Sequence, residues 1–175
     1  GMVIDIDHMS ALGVENALQI AEARNYPLVA SHVDFVDRQV EKSEKEKTHA
    51  QLQRIRNLGG MVGVGVFRGG DRAKFIQYDD DNNAATPAPV ANDCGNSSKI
   101  FAQKYLHAVD EMGSLGVALG TDFNGMTQHP GPRFGPVACR NSATGLLDGS
   151  PQTDKVQYPF TIPGFGSFDK QVTGD

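Results

Sequence analysis

Three side chains in this sequence have the types and the spacing to act together. His8 closes the apolar run Met2-Val3-Ile4-Asp5-Ile6-Asp7, and His32 closes the run Leu28-Val29-Ala30-Ser31. The two histidines lie 24 residues apart, the length of one β-α-β unit. Asp122 holds the same place in a later run, within Gly120-Thr121-Asp122-Phe123-Asn124-Gly125. In parallel α/β folds the carboxyl ends of the strands carry the active site, and neighbouring strands stand about 4.8 Å apart. Imidazoles at two adjacent strand ends can therefore converge on one ion. A neutral imidazole pair suits Zn²⁺, and a nearby carboxylate can orient a metal-bound water and take its proton. Each residue alone has a plainer reading, as a hydrogen-bonded polar group at a strand end. Their equivalent placement brings metal-assisted hydrolysis level with that reading.

The elements needed to hold these residues follow from periodicity. Residues 2–8 read as a strand buried on both faces. Ser10 caps a helix with apolar Val14, Leu18 and Ala21, and Pro27 closes it. Residues 28–32 form a second strand. Thr48 and Gln51 have the capping-box spacing, ahead of Leu52, Ile55 and Leu58. Gly59-Gly60 stops that helix, and residues 61–67 form a third strand. Ser97 or Ser98 caps a helix with the stripe Phe101, Tyr105, Ala108 and Met112, and residues 117–123 form the fourth strand. Strands alternating with amphipathic helices call for an α/β fold with parallel pairing. From Met126 to Asp175 periodicity gives way to Gly, Pro and Ser, which reads as irregular chain covering something or preceding more of the domain.

The remaining candidates are weaker. Asp5 or Asp7 could be an acceptor fixing the His8 tautomer, or either could face a polar layer, and the structural role is preferred. His49 and His107 read as solvated, and nothing in the sequence supports a ligand role for His129. The run Glu41 to Lys47 reads as a solvated charged loop, although its place after the His32 strand leaves Arg38 or Lys45 able to meet a carboxylate. The long segment 68–95 reads as a functional or lid loop. Its acidic stretch Asp79 to Asn83 lacks calcium-loop spacing, and glycines 63, 65, 69 and 70 form no nucleotide loop. Cys94 and Cys139 either pair or remain two free thiols; no C-x-x-C unit is present.

Composition narrows the function further. The chain has 175 residues, with 16 basic and 21 acidic side chains and a formal charge of -5. That balance argues against a nucleic-acid partner and favours a small molecule or another protein. No apolar run approaches the roughly 20 residues of a membrane helix, and no signal peptide is visible at the start. The chain reads as soluble, with a periplasmic or secreted setting and homo-oligomerisation both left open. A complete (β/α)₈ barrel needs about 250 residues, so the length excludes a whole one, while four strands and three helices are about half of its repeats.

The segments Val3-Ile4-Asp5-Ile6-Asp7-His8-Met9-Ser10, Ala30-Ser31-His32, Gly59-Gly60-Met61-Val62-Gly63-Val64 and Gly120-Thr121-Asp122-Phe123-Asn124-Gly125 together resemble the second half of the membrane (renal) dipeptidase family. That family belongs to the amidohydrolase superfamily of metal-dependent (β/α)₈ barrels. The resemblance implies a partial TIM barrel, with residues 1–125 as strands five to eight and 126–175 as a Gly/Pro-rich loop or insertion after the last strand. It implies that His8 and His32 are ligands of one ion of a binuclear zinc site. Asp122 would be the catalytic carboxylate that handles the proton of the attacking water, and the substrate a dipeptide or similar amide. The family's His-x-Asp pair, bridging glutamate and substrate-binding histidine would precede residue 1. Its Arg-Asn pair after the second histidine is replaced here by Lys42-Ser43-Glu44-Lys45-Glu46-Lys47, so no substrate-binding role passes to that loop. The competing readings are a non-catalytic α/β binding module in which His8, His32 and Asp122 are structural and the long loops recognise a protein or ligand, and another metal-dependent hydrolase, such as a phosphoesterase, completed by a missing segment or another chain.

Overall fold

The computed structural model of the chain describes residues 1–35, 44–66, 94, 97–113, 115–123, 129–140, 145–147, 149, 160–162 and 166–168. Local sequence signals set the helices. Ser10 is extended and its hydroxyl accepts the Gly13 N–H at 3.1 Å, starting α1 (Ala11–Arg24), which buries Val14, Leu18 and Ala21. The helix stops at Asn25, in the left-handed conformation, two residues before the proline expected to close it. Thr48 and Gln51 form a reciprocal capping box at the start of α2 (His49–Asn57), which buries Leu52 and Ile55. Gly59, at φ +68°, takes the chain out of that helix. Ser97, rather than Ser98, caps α3 (Ser98–Met112) by accepting the Lys99 N–H.

The buried face of α3 departs from the expected stripe. Ala108 and Met112 are buried, but Phe101 and Tyr105 are only partly so. The helix instead turns inward through Ile100, Lys104, His107 and Glu111, the same spacing moved one residue back. Polar side chains are tolerated inside when they are paired. Lys104 meets Asp34 at 2.5 Å, and the His107 ring stands edge-on to Phe35 with centroids 4.7 Å apart. His107 is therefore a core residue, not a solvated one. His49 is exposed as expected, but its Nδ1 lies 2.8 Å from the Glu111 carboxylate.

Between the helices run three parallel strands, β1 (Val29–Val33), β2 (Met61–Gly65) and β3 (Val117–Gly120), in that spatial order. Each helix thus joins strand segments that run in the same direction, the expected α/β arrangement. In β2 every residue after Met61 is buried. The inner faces of the three helices and this sheet enclose one apolar core containing Ile6, Leu18, Phe35, Leu52, Val62 and Met112.

The segment expected as a first strand buried on both faces is only partly so. It pairs with β1 through one bridge at Asp5, with Ile6 N–H on the Val29 carbonyl at 2.9 Å and Val29 N–H on the Ile4 carbonyl at 3.0 Å. Ile6 is buried, but Met2 and Val3 are 78% and 74% exposed. The segment forms the outer margin of the sheet, and among the described residues only β1 pairs with it.

Two features of the carboxyl-terminal segment differ from an irregular tail. β4 (Phe160–Ile162) and β5 (Gly166–Phe168) pair antiparallel, bringing an aromatic and β-branched triplet against a second short strand. Cys94 and Cys139 form a disulfide, which settles the choice between a bridge and two thiols. Together with the Ser97–Gly131 bridge it ties the chain after β3 to the start of α3. Apart from Cys94, the proposed lid loop 68–95 lies outside the described residues, as do Arg38, residues 41–43 and the acidic stretch 79–83. Among the described residues no helix is long and apolar enough to cross a membrane.

Candidate active site

Backbone geometry marks two of the three candidate residues. His8 and Asp122 both have positive φ, +59° and +46°, a left-handed conformation that costs of order 1 kcal/mol or more in a non-glycine residue. The β1–β2 register slips between Ala30 and Val33, so the irregularity falls on Ser31 and His32. Such irregularities re-aim a side chain next to a site.

The consequence is convergence of the two histidines. His8 Nε2 and His32 Nε2 lie 2.7 Å apart, with ring centroids at 4.7 Å and planes inclined by 41°. Two ring nitrogens this close must share a proton or a cation, since two lone pairs facing each other repel. A tetrahedral zinc holding two nitrogens at about 2.0–2.1 Å keeps them about 3.3 Å apart, so small ring rotations would adapt this pair to it. The donor set suits the ion as two of its ligands. Among the described residues no group of three or more His, Cys, Asp or Glu side chains could hold a metal.

The support beneath the pair lies on His32. The Asp7 carboxylate accepts the His32 N–H at 2.5 Å through Oδ2, which also stands 3.4 Å from His32 Nδ1. Ser31 Oγ lies 2.8 Å from the same Nδ1 and 3.4 Å from Asp7 Oδ2, bridging the two. Asp7, for which the sequence favours a structural role over fixing the His8 tautomer, is thus an acceptor for His32. Asp5 Oδ1 accepts the N–H groups of Asp7 and Ser31, at 3.1 and 3.2 Å. Burial opposes ionisation of Asp5, but its hydrogen bonds from Ser31 and Asp7, with the nearby His32, outweigh it and hold the carboxyl below its ordinary range.

Lys47 was expected on a solvated loop and is instead completely buried. Its Nζ donates to the Lys45 carbonyl at 2.6 Å and lies 3.4 Å from Asp7 Oδ1. Glu44 and Lys45 beside it are exposed, as the loop reading anticipates.

Asp122 sits two residues past Gly120, and Gly120 packs directly on β1. A Cβ there would fall 2.1 Å from the Ser31 carbonyl oxygen and 2.6 Å from His32 Cα; one at Gly63 would meet the same oxygen at 2.1 Å. The sheet curls so strongly that β3 approaches β1 across β2, and only residues without a side chain permit it. His129 also reaches this edge. Its Nδ1 donates to the Val66 carbonyl at 2.9 Å, and its ring stacks on Phe123 with centroids 3.8 Å apart. The Gly/Pro-rich surroundings of His129 gave no periodic signal to indicate that placement.

A parallel sheet flanked by helices, with two imidazoles in contact at one margin and a carboxylate two residues past β3, defines the class, an α/β protein. Residues 1–132 match the model of the membrane dipeptidase family, peptidase family M19, and the chain belongs to that family of metallopeptidases. Similar solved structures include a dipeptidase AC described as a metallopeptidase of family M19, and a metallopeptidase from Rhodobacter sphaeroides liganded with a phosphinate mimic of the dipeptide L-Ala-D-Ala. Each is 25% identical with a TM-score of 0.48, over 71% of this chain and 31% and 30% of theirs respectively. The chain therefore spans about a third of the length of those proteins. No curated protein matches it.

Proposed function

We propose that this chain supplies part of the active site of a zinc-dependent dipeptidase-type hydrolase. His8 and His32 are ligands of one ion of a binuclear centre, and Asp122 handles the proton of the attacking water. The observation that carries this reading is the 2.7 Å approach of the two Nε2 atoms at neighbouring strand ends. Membership of the dipeptidase family supports a small peptide amide as substrate. The curled parallel sheet supports residues 1–125 as strands five to eight of a (β/α)₈ barrel, with residues 126–175 as an appended segment.

Bound between the imidazoles, zinc would polarise the scissile carbonyl and make water acidic enough to attack near neutral pH. The residues of this chain prepare that chemistry. With Nδ1 of His32 donating to Ser31, its Nε2 carries the lone pair a ligand needs. Asp122 accepts a proton as water adds to the amide carbon and delivers it to the departing nitrogen, so the C–N bond breaks to give a carboxylic acid and an amine.

The test is zinc stoichiometry and dipeptide turnover of the full-length protein, in wild-type, His8→Ala and His32→Ala forms. Each variant should lose zinc and most of its turnover. Full zinc occupancy in both would remove the ligand assignment.

A further inference from the structure

A lysine near a chain reversal ordinarily keeps its ammonium in water, because burial removes hydration from a group with three donors and no acceptor. Lys47 does the opposite. Its backbone N–H bonds to the Asp34 carbonyl at 3.0 Å, while the Asp34 carboxylate is engaged by Lys104. The ammonium turns instead toward Asp7, at 3.4 Å. Asp7 in turn is nearly buried, and its other oxygen serves His32 and Ser31. A continuous line runs from Lys47 Nζ through the Asp7 carboxylate and Ser31 Oγ to His32 Nδ1, and across the ring to the Nε2 facing His8.

We propose that Lys47 is a positioning residue for His32, acting through Asp7. It anchors one carboxylate oxygen so that the other stays against the His32 backbone and Ser31. That holds the imidazole with Nδ1 protonated and the Nε2 lone pair turned toward His8. It also fastens the loop ahead of α2 to the strand margin that carries His8. The inference rests on His32 being a zinc ligand, and it predicts that the charge of a residue touching neither zinc nor substrate sets how tightly zinc is held. Groups that orient a ligand in this way typically change metal affinity about 10–100-fold when altered.

The experiment measures zinc affinity of the full-length protein by competition with a chelator, and the His32 tautomer of the zinc-free protein by ¹⁵N NMR. Lys47→Met, which keeps the apolar stem and removes the charge, should raise the zinc Kd by about 10–100-fold and reduce the Nδ1-protonated population of His32. Asp7→Asn should do the same. Because both act along one line, the double variant should lose no more than the worse single variant. Wild-type affinity and tautomer in Lys47→Met, or losses that add in the double variant, would overturn the proposal. If Lys47→Met does not fold, unchanged affinity and tautomer in the nearly isosteric Asp7→Asn overturn it equally. His32→Ala separates this from the parent reading: loss of zinc there with none in Lys47→Met rejects the role of Lys47 alone. Zinc retained in both His8→Ala and His32→Ala rejects the site, and the tautomer still decides what Lys47 does.

Discussion

The two ends of the strand-end row are built differently. At the His32 end the histidine rests on a polar support that continues inward to a completely buried lysine, within β1, whose Ala30 and Val33 belong to the core. At the Asp122 end the strand is thinly covered: Leu119 is 62% exposed and Phe123 76%. Metal ligands need fixed geometry, whereas a proton-handling carboxylate needs access to water and substrate. The contrast therefore matches the roles proposed for the two ends, and it predicts that they respond differently to mutation.

The largest expected effect is on turnover at the open end. Asp122→Asn keeps the shape and tolerates the left-handed backbone, so it removes the proposed proton acceptor with little disturbance. Dipeptide kcat should fall by about 10²–10⁴-fold with zinc affinity and melting temperature close to wild type. A fall in zinc affinity as large as that of His32→Ala would erase the contrast. Next comes the disulfide. Replacing Cys94 and Cys139 with serine frees a closure of 45 residues and should lower unfolding free energy by about 2–4 kcal/mol, measured by denaturant titration. Since the bridge holds the chain after β3 and not β1, zinc affinity should stay near wild type. Gly63→Ala acts on the packed end. Its Cβ would collide with the Ser31 carbonyl, costing about 1–3 kcal/mol, and it should also weaken zinc binding, because Ser31 must shift away from His32.

What was legible in the sequence divides along the same physical line. Helix starts depend on a cap and its next few residues, so Ser10 and Thr48 with Gln51 could be read directly and the third cap narrowed to Ser97 or Ser98. Strand starts could be read too, since Met61 and Val117 open β2 and β3 as the apolar runs indicate, but the strands stop at Gly65 and Gly120, short of the expected ends at 67 and 123. Lys47 could not, since its burial depends on Asp7, forty residues earlier in the chain, and the charges around it mimic an exposed loop. The same limit hid His107, which enters the core against Phe35, and the support of His32 by Asp7, a contact between residues 25 apart in the chain. The exposure of residues 2–3 was missed for another reason. A β-branched run signals a strand, but burial of its outer flank depends on what lies beside it.

The smallest expected effect lies away from both ends and tests whether the contrast is local. Arg54 on α2 holds α1 by a fork to Glu22, at 2.6 and 2.8 Å, and a bond to Glu15 at 2.6 Å. These hydrogen bonds hold both carboxyls below their ordinary range. The folded state therefore binds fewer protons there than the unfolded one. The stabilisation is fully present above the unfolded glutamate pKa of about 4.3 and is lost as pH falls through the lower folded values. The wild-type melting temperature should drop between about pH 6 and pH 3 by slightly more than that of Arg54→Gln, and added salt should shrink the difference because these groups are only partly buried. Zinc affinity at neutral pH should be the same in both. If Arg54→Gln weakened zinc binding as Lys47→Met is expected to, loosening of the helical layer would explain both, and the buried line beneath His32 would lose its special standing.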